Sequence, residues 1–356
     1  MSARGALALV AVLGLAACSE PRPPVVDCAP VGNARPVCGF QNPEDLAQLP
    51  ESKQLVISQM GEMDGSEPGS LVFFAPASDA ITPAFAGAEG GGAPNPGWGD
   101  SACPGAPDAK FSPHGIALAR RPDGALQLLV VNHGGRESIE LFEVTDAEPP
   151  ALTWRGCVVA PERAFLNDVA ALPDGGFVTT HMFPRDGGFF TMVKGLLGLS
   201  TGWVYEWQPG AGFTQVPGSE GPMPNGIEAS PDGEVLYVDL YMGDEVRKLA
   251  RKSGELLATA QIASPDNVLW SPDGSLLVAS HNAPLNELFA CGEIEAGACP
   301  FYYSILALDP DTLAPRALYE NAGPPMGAGT AALRIGDELF VGTFKGDRIV
   351  RVPLAK

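Results

Sequence analysis

Pro-Asp-Gly followed by a short apolar run recurs at Pro122, Pro173, Pro231 and Pro272. Looser versions stand at Pro50-Glu51-Ser52 before Leu55-Val56-Ile57 and at Gly336-Asp337 before Leu339-Phe340-Val341. Asp-Gly is a tight hairpin signal, and the segments it punctuates are rich in Val, Leu, Phe and Tyr, so the chain reads as many short strands rather than helices. Six such units at unequal, blade-sized intervals are what four-stranded sheets with variable insertions produce. The repeat predicts an all-β fold, a six-bladed β-propeller with four-stranded blades. At 356 residues and 45% hydrophobic the chain can bury such a core, although length alone also admits two ordinary domains.

The turns also set a phase for polar residues. Six positions before Pro50, Pro173, Pro231 and Pro272 stand Glu44, Asn167, Asn225 and Asp266, at the start of the innermost strand, and in a propeller those starts converge on the central channel. A single Asn or Asp there is an ordinary turn cap; four at one phase form a constellation. If each turn centres on Asp-Gly, His114 falls opposite His133, Asp266 opposite His281, and His181 one residue from the partner of Asn167. All four histidines are then drawn to one face, unless a bulge slips the register. Two carboxylates and several amide oxygens with no thiolate make a hard-oxygen donor set suited to calcium, with magnesium and manganese as alternatives.

Arg4, the apolar run over residues 6–15 and the sequence Leu15-Ala16-Ala17-Cys18 read as an export signal ending in a small-residue cleavage site. That segment resembles a bacterial lipoprotein lipobox. The resemblance implies a signal peptide over residues 1–18 with Cys18 lipidated, a Pro-rich tether and N-terminal segment over 19–37, and a propeller over 38–356. The protein is then expected to be exported to the bacterial cell envelope, held by its lipid anchor on the periplasmic face of the outer membrane, as a monomer. The six other cysteines suggest disulfides in such a compartment. Of fifteen possible connectivities, Cys28 with Cys38, Cys103 with Cys157 and Cys291 with Cys299 are favoured because the first and last close short loops. Zinc is the competing reading, but there is no Cys-x-x-Cys and no His beside these cysteines. A net charge of -20 excludes nucleic acid as a partner.

With these residues in view, Glu44-Asp45-Leu, Pro113-His114-Gly-Ile, Leu128-Leu-Val-Val-Asn-His133, Glu140-Leu-Phe, Asn167-Asp168, Asn225-Gly-Ile and Asp266-Asn267 resemble, in order, the motifs of the paraoxonase/arylesterase family of calcium-dependent lactonases. The resemblance implies two calcium ions. One, catalytic, would be bound by Glu44, Asn167, Asn225, Asp266 and Asn267; the other, structural, by Asp45, Asp168 and the backbone oxygen of Ile116. It implies that calcium polarises the carbonyl of a small lactone or ester, that His114 removes a proton from the attacking water and that His133 orients His114. His181 and His281 are expected to line the pocket. The family's disulfide joining the two chain ends has no counterpart, since no cysteine follows Cys299. Closure is therefore expected from strand pairing, with an N-terminal segment joining a strand over residues 348–354.

Two insertions are expected over the site face. Residues 183–202 carry an apolar cluster that reads as a lid helix, a lipid contact or packing on the propeller rim. The Gly-, Ala- and Pro-rich stretch over residues 82–110 reads as a loop pinned by Cys103. Two other functions compete with the lactonase or arylesterase reading. One resembles the related senescence-marker/gluconolactonase family acting on sugar lactones, which leaves the histidine pair and second ion unexplained. The other is a calcium-stabilised envelope propeller that binds without catalysis.

Overall fold

The computed structural model describes residues 21–62, 66–87, 93–321 and 323–354; Cys18 and the lipobox lie outside them. Six four-stranded antiparallel sheets are arranged around an axis. Their inner strands are Pro43–Gln48, Pro113–Arg120, Leu166–Ala171, Pro224–Ala229, Pro265–Trp270 and Gly329–Ile335, which we call the inner strands of blades 1 to 6. Each touches the next, and the sixth touches the first, so they form a closed ring. The apolar core lies between blades; the cluster of Leu236, Val238 and Leu240 with Val178 and Val204, for example, fills the space between blades 3 and 4.

Blade 6 closes the ring. Its outermost strand is Arg35–Cys38, paired antiparallel with Arg348–Pro353. Arg348 is fully buried and donates to the carbonyl oxygens of Val25, Val26, Asp27 and Pro325, so one guanidinium satisfies three successive carbonyls of the N-terminal segment. Closure is by pairing, and the propeller takes in chain from Arg35 onward. All three favoured disulfides are present.

The stretch over residues 82–110 differs from its reading as a loop at its start. Ala80–Phe85 is the outermost strand of blade 1, with Pro83 inside it. An edge strand tolerates Pro because no further strand needs its missing N–H. Residues 183–202 contain the helix α1 (Gly188–Leu196). Its Phe189 and Phe190 are 76% and 84% exposed, so these rings do not pack on the rim.

Candidate active site

In blades 2, 3 and 5 the turn is not the two-residue loop that Asp-Gly suggests. The N–H groups of Arg121, Leu172 and Ser271 donate to the carbonyls of Ala125, Gly176 and Ser275. Each closes a three-residue Pro-Asp-Gly loop whose glycine has positive φ, at 89°, 92° and 84° for Gly124, Gly175 and Gly274. The turn centres on Asp, and every pairing shifts by one. Near its start each inner strand then carries a β-bulge. The pairing slips between Pro43 and Asp45, Pro113 and Ile116, Leu166 and Val169, Pro224 and Ile227, Pro265 and Val268, and Gly329 and Ala332. The bulges fall on Glu44, His114-Gly115, Asn167-Asp168, Asn225-Gly226, Asp266-Asn267 and Thr330-Ala331. A bulge opposes two residues to one and re-aims side chains, which is how blades 1 to 5 bring Glu44, His114, Asn167, Asn225 and Asp266 to one cavity.

The register corrections are specific. His133 is not the ladder partner of His114; Asn132 pairs with Pro113, and the His133 N–H reaches Ser112 O at 3.0 Å. Ser280, not His281, pairs on the Asp266 side, opposite Pro265. His181 pairs with Leu166.

Glu44, Asn167, Asn225, Asp266 and Asn267 are brought together, all buried. Their amide N–H groups are used on neighbours: Asn267 donates to Glu44 Oε1 at 2.7 Å, Asn167 to the Met182 thioether at 3.4 Å, and Asn225 to Asp266. Those bonds orient the amides and leave Asn167 Oδ1, Asn225 Oδ1, Asn267 Oδ1 and Glu44 Oε2 buried without partners among the described residues. Buried oxygens are rarely left unpaired, and a convergent set of them fits a hard cation that takes oxygen ligands. Three of the five are amides, so no cluster of His, Cys, Asp and Glu alone marks a metal site among the described residues. Burial, reinforced by Asp45, pushes the Glu44 carboxyl well above its usual range, and burial pushes Asp266 to about 8. A bound cation would reverse both.

Below this level Asp45 and Asp168 tie neighbouring blades together. Asp45 accepts the N–H groups of Leu46 and, across the blade boundary, Ile116, both at 2.8 Å. Asp168 accepts Val169 at 2.7 Å and Ile227 at 2.9 Å. Burial raises Asp45 to about 7 and, with Asp45, pushes Asp168 well up. Gly115 is required here: a Cβ would stand 2.4 Å from Asp168 Oδ1. The three groups expected at a second ion, Asp45, Asp168 and the Ile116 backbone, are thus held together, and the carboxylates' N–H contacts leave lone pairs free.

His114 Nδ1 lies 2.9 Å from His133 Nε2, and His133 Nδ1 lies 3.0 Å from Glu137 Oε1. Glu137 also accepts from Arg185 and from the Leu166 N–H, so both its oxygens act as acceptors. His133 therefore carries its proton on Nδ1 and accepts at Nε2, and His114 carries its proton on Nδ1. The lone pair of His114 Nε2 is left at the cavity, 3.7 Å from Glu44 Oε1. Burial, with His133, holds His114 well below the usual imidazole range, so it is neutral near pH 7. Glu137 escapes a sequence reading because it sits past a Gly-Gly turn, outside the strand phase; its one signal is the spacing His133-x-x-x-Glu137.

His114 and His281 line a cavity of about 220 Å³ over the ligand ring, walled by Met223, Tyr241, Leu288 and Phe344. Leu288 comes from the second helix, α2 (Leu285–Gly292). His281 donates from Nε2 to Gly329 O at 2.9 Å and accepts the Tyr241 hydroxyl at 3.0 Å. Burial pushes it down to about 4. His181 is not in this lining: its Nδ1 accepts the Phe165 N–H, and its ring lies 4.7 Å from that of Trp203. Larger clefts of 650 and 490 Å³ on the outer surface contain none of these groups.

The match to the relatives is partial in sequence and broad in fold. Serum paraoxonase/arylesterase 1 of Homo sapiens is 26% identical over 181 residues, 49% of this chain and 50% of that protein, so the match spans about half the length of either. A gluconolactonase of Xanthomonas campestris superposes with a TM-score of 0.50 at 18% identity, over 94% of this chain and 95% of the other. A regucalcin of Agrobacterium tumefaciens, a calcium-binding protein, does so with a TM-score of 0.50 at 14% identity, over 89% and 92%. These two share the fold. The arylesterase family model matches residues 102–348, more than half of the chain, and the chain belongs to the arylesterase family.

Proposed function

We propose that this protein is a calcium-dependent hydrolase of lactones or aryl esters, acting in the cavity above the axial ligand ring. The observation that carries the reading is the His114 Nε2 lone pair, held at the cavity by the His133 and Glu137 hydrogen bonds beside four unpaired oxygens. Glu44, Asn167, Asn225, Asp266 and Asn267 would hold one calcium, and Asp45, Asp168 and the Ile116 carbonyl a second. When bound at the upper ring, calcium supplies the positive charge that polarises a substrate carbonyl and stabilises its developing oxyanion.

The chain's own residues do the rest. His114 Nε2 takes a proton from water as the water oxygen bonds to the carbonyl carbon. The imidazolium is stabilised through Nδ1–H by His133, whose orientation Glu137 fixes. As the tetrahedral adduct collapses and the C–O bond to the leaving oxygen breaks, His114 returns the proton to that oxygen. Met223, Leu288 and Phe344 give the cavity apolar walls around the reacting carbonyl.

The sugar-lactone reading is supported by the gluconolactonase likeness, but these apolar walls favour lactones and esters with apolar bodies, since they offer a sugar few hydrogen-bond donors. Envelope anchoring through Cys18 remains part of the proposal and rests on the lipobox. A panel of aliphatic lactones, sugar lactones and phenyl esters, assayed with calcium and with chelator, tests the reading. Binding of calcium without turnover of any member would favour a non-catalytic binding propeller instead.

A further inference from the structure

Where the inner strands bulge, the second strands meet them with Ser58, Val131, Thr180, Asp239, Ala279 and Gly342 in blades 1 to 6. Asp239 alone is charged. It is 0% exposed, and neither carboxylate oxygen has a hydrogen-bond partner among the described residues. Nothing in the hydrolytic scheme above uses it.

Its direction follows from the strand. Val238 and Leu240 face the core between blades 3 and 4, whereas Tyr237, on the same strand face as Asp239, packs on Trp270 of blade 5. Thr180 holds the equivalent position one blade earlier and donates its hydroxyl to the carbonyl of Asn225, the ligand residue of the following blade. By the same register Asp239 stands beside Asp266 of blade 5, and Asp266 is the charge that bears on it. An unpaired carboxylate so buried costs stability unless a positive charge lies near. In the equivalent place blade 5 has Ala279, which shows that the fold itself needs no carboxylate there.

On the strength of the calcium reading above, we propose that Asp239 is an outer carboxylate of the upper cation site. Its negative charge beside Asp266 tightens the hold on a divalent cation without Asp239 entering the substrate cavity. Charge attraction through a protein interior is long-ranged enough for a non-ligating carboxylate to shift cation affinity by at least about tenfold.

The test is calcium titration of the full chain by chelator competition, together with thermal melts of the chelated protein, for wild type, Asp239→Ala and Asp239→Asn. The affinity lost in Asn225→Ala identifies the upper site. Both Asp239 variants are expected to weaken that affinity by at least about tenfold, while chelated Asp239→Ala melts higher than wild type because an unpaired buried acid has gone. A merely structural Asp239 would lower the melting temperature. Unchanged affinity in both variants, or a lower melting temperature of the chelated Ala variant, overturns the inference and leaves the calcium reading standing. A wild type that binds no calcium overturns both.

Discussion

The proton between His114 and His133, whose facing nitrogens stand 2.9 Å apart, belongs to His114, because Glu137 fixes the His133 proton on the far side of its ring. The base thus turns its lone pair to the cavity only while that three-residue chain is intact. His114 sits in the bulge of its inner strand, and an unbulged strand would re-aim its ring.

His114→Gln is expected to lower kcat by about 10²- to 10⁴-fold with calcium affinity retained. Glu137→Gln, whose amide can present an N–H to His133 and admit the other tautomer, is expected to lower kcat by about ten- to a hundredfold. Steady-state kinetics beside calcium titrations separate these effects. In calcium-saturated wild type, a base held below the usual imidazole range should keep kcat level as pH falls from about 8 to about 6. A decline centred near 6.5 would contradict the His114 environment.

The buried carboxylates make the stability of the metal-free protein fall with pH. Asp45 is raised to about 7, and Asp266 and Glu228 to about 8, all chiefly by burial. A carboxyl whose folded pKa exceeds its unfolded value binds more protons folded than unfolded, so its contribution is lost as pH rises through the folded value. The relevant window is about pH 6.5 to 8.5, above the titration of His181 and His281, each pushed down to about 4 by burial. Thermal melts in chelator should drop across it, and saturating calcium should remove most of the drop. Flat melts in chelator would count against the buried ring.

Arg348→Met is expected to destabilise the protein by about 3 kcal/mol, since it strips a charged donor from the buried carbonyls of Val25 and Pro325 and from the partly buried ones of Val26 and Asp27. Denaturant unfolding measures this. A loss below about 0.5 kcal/mol, typical of a surface change, would show that blade 6 closes without the guanidinium.

Gly115→Ala places a Cβ against Asp168 Oδ1 and the Asn167 carbonyl. Overpacking of this kind costs about 1–3 kcal/mol. Calcium titration of the variant should show the second site, at Asp45 and Asp168, weakened more than the upper one; the reverse order would mean that Asp168 serves blade stitching alone.

Blade number and the ligand phase were legible because four turns repeat Pro-Asp-Gly, two carry looser versions, and four of the five ligands stand six residues before a turn Pro. The bulges were not, because an extra backbone residue in a strand has no residue type of its own. Only Gly115 and Gly226, which follow His114 and Asn225, hint at close approach there. Taking the turn as two residues rather than three then misplaced the partners of His114 and Asp266 by one. The His114–His133 contact arises all the same, from the bulge. His181 shows the limit of phase reasoning: strand position brought it to the right end of its blade, and its hydrogen bond to Phe165 turned it away from the cavity. Asp239 was hidden in Leu-Tyr-Val-Asp-Leu, where its charge reads as an ordinary outward-facing residue.

Hydrolysis of a lactone and phenyl ester panel by the same wild-type preparation, with calcium, after chelation and after calcium is restored, decides whether the protein is a calcium-dependent hydrolase. Turnover is expected to disappear with chelator and to return with calcium. Turnover that continues undiminished in chelator, or none at all with calcium bound, would contradict that function.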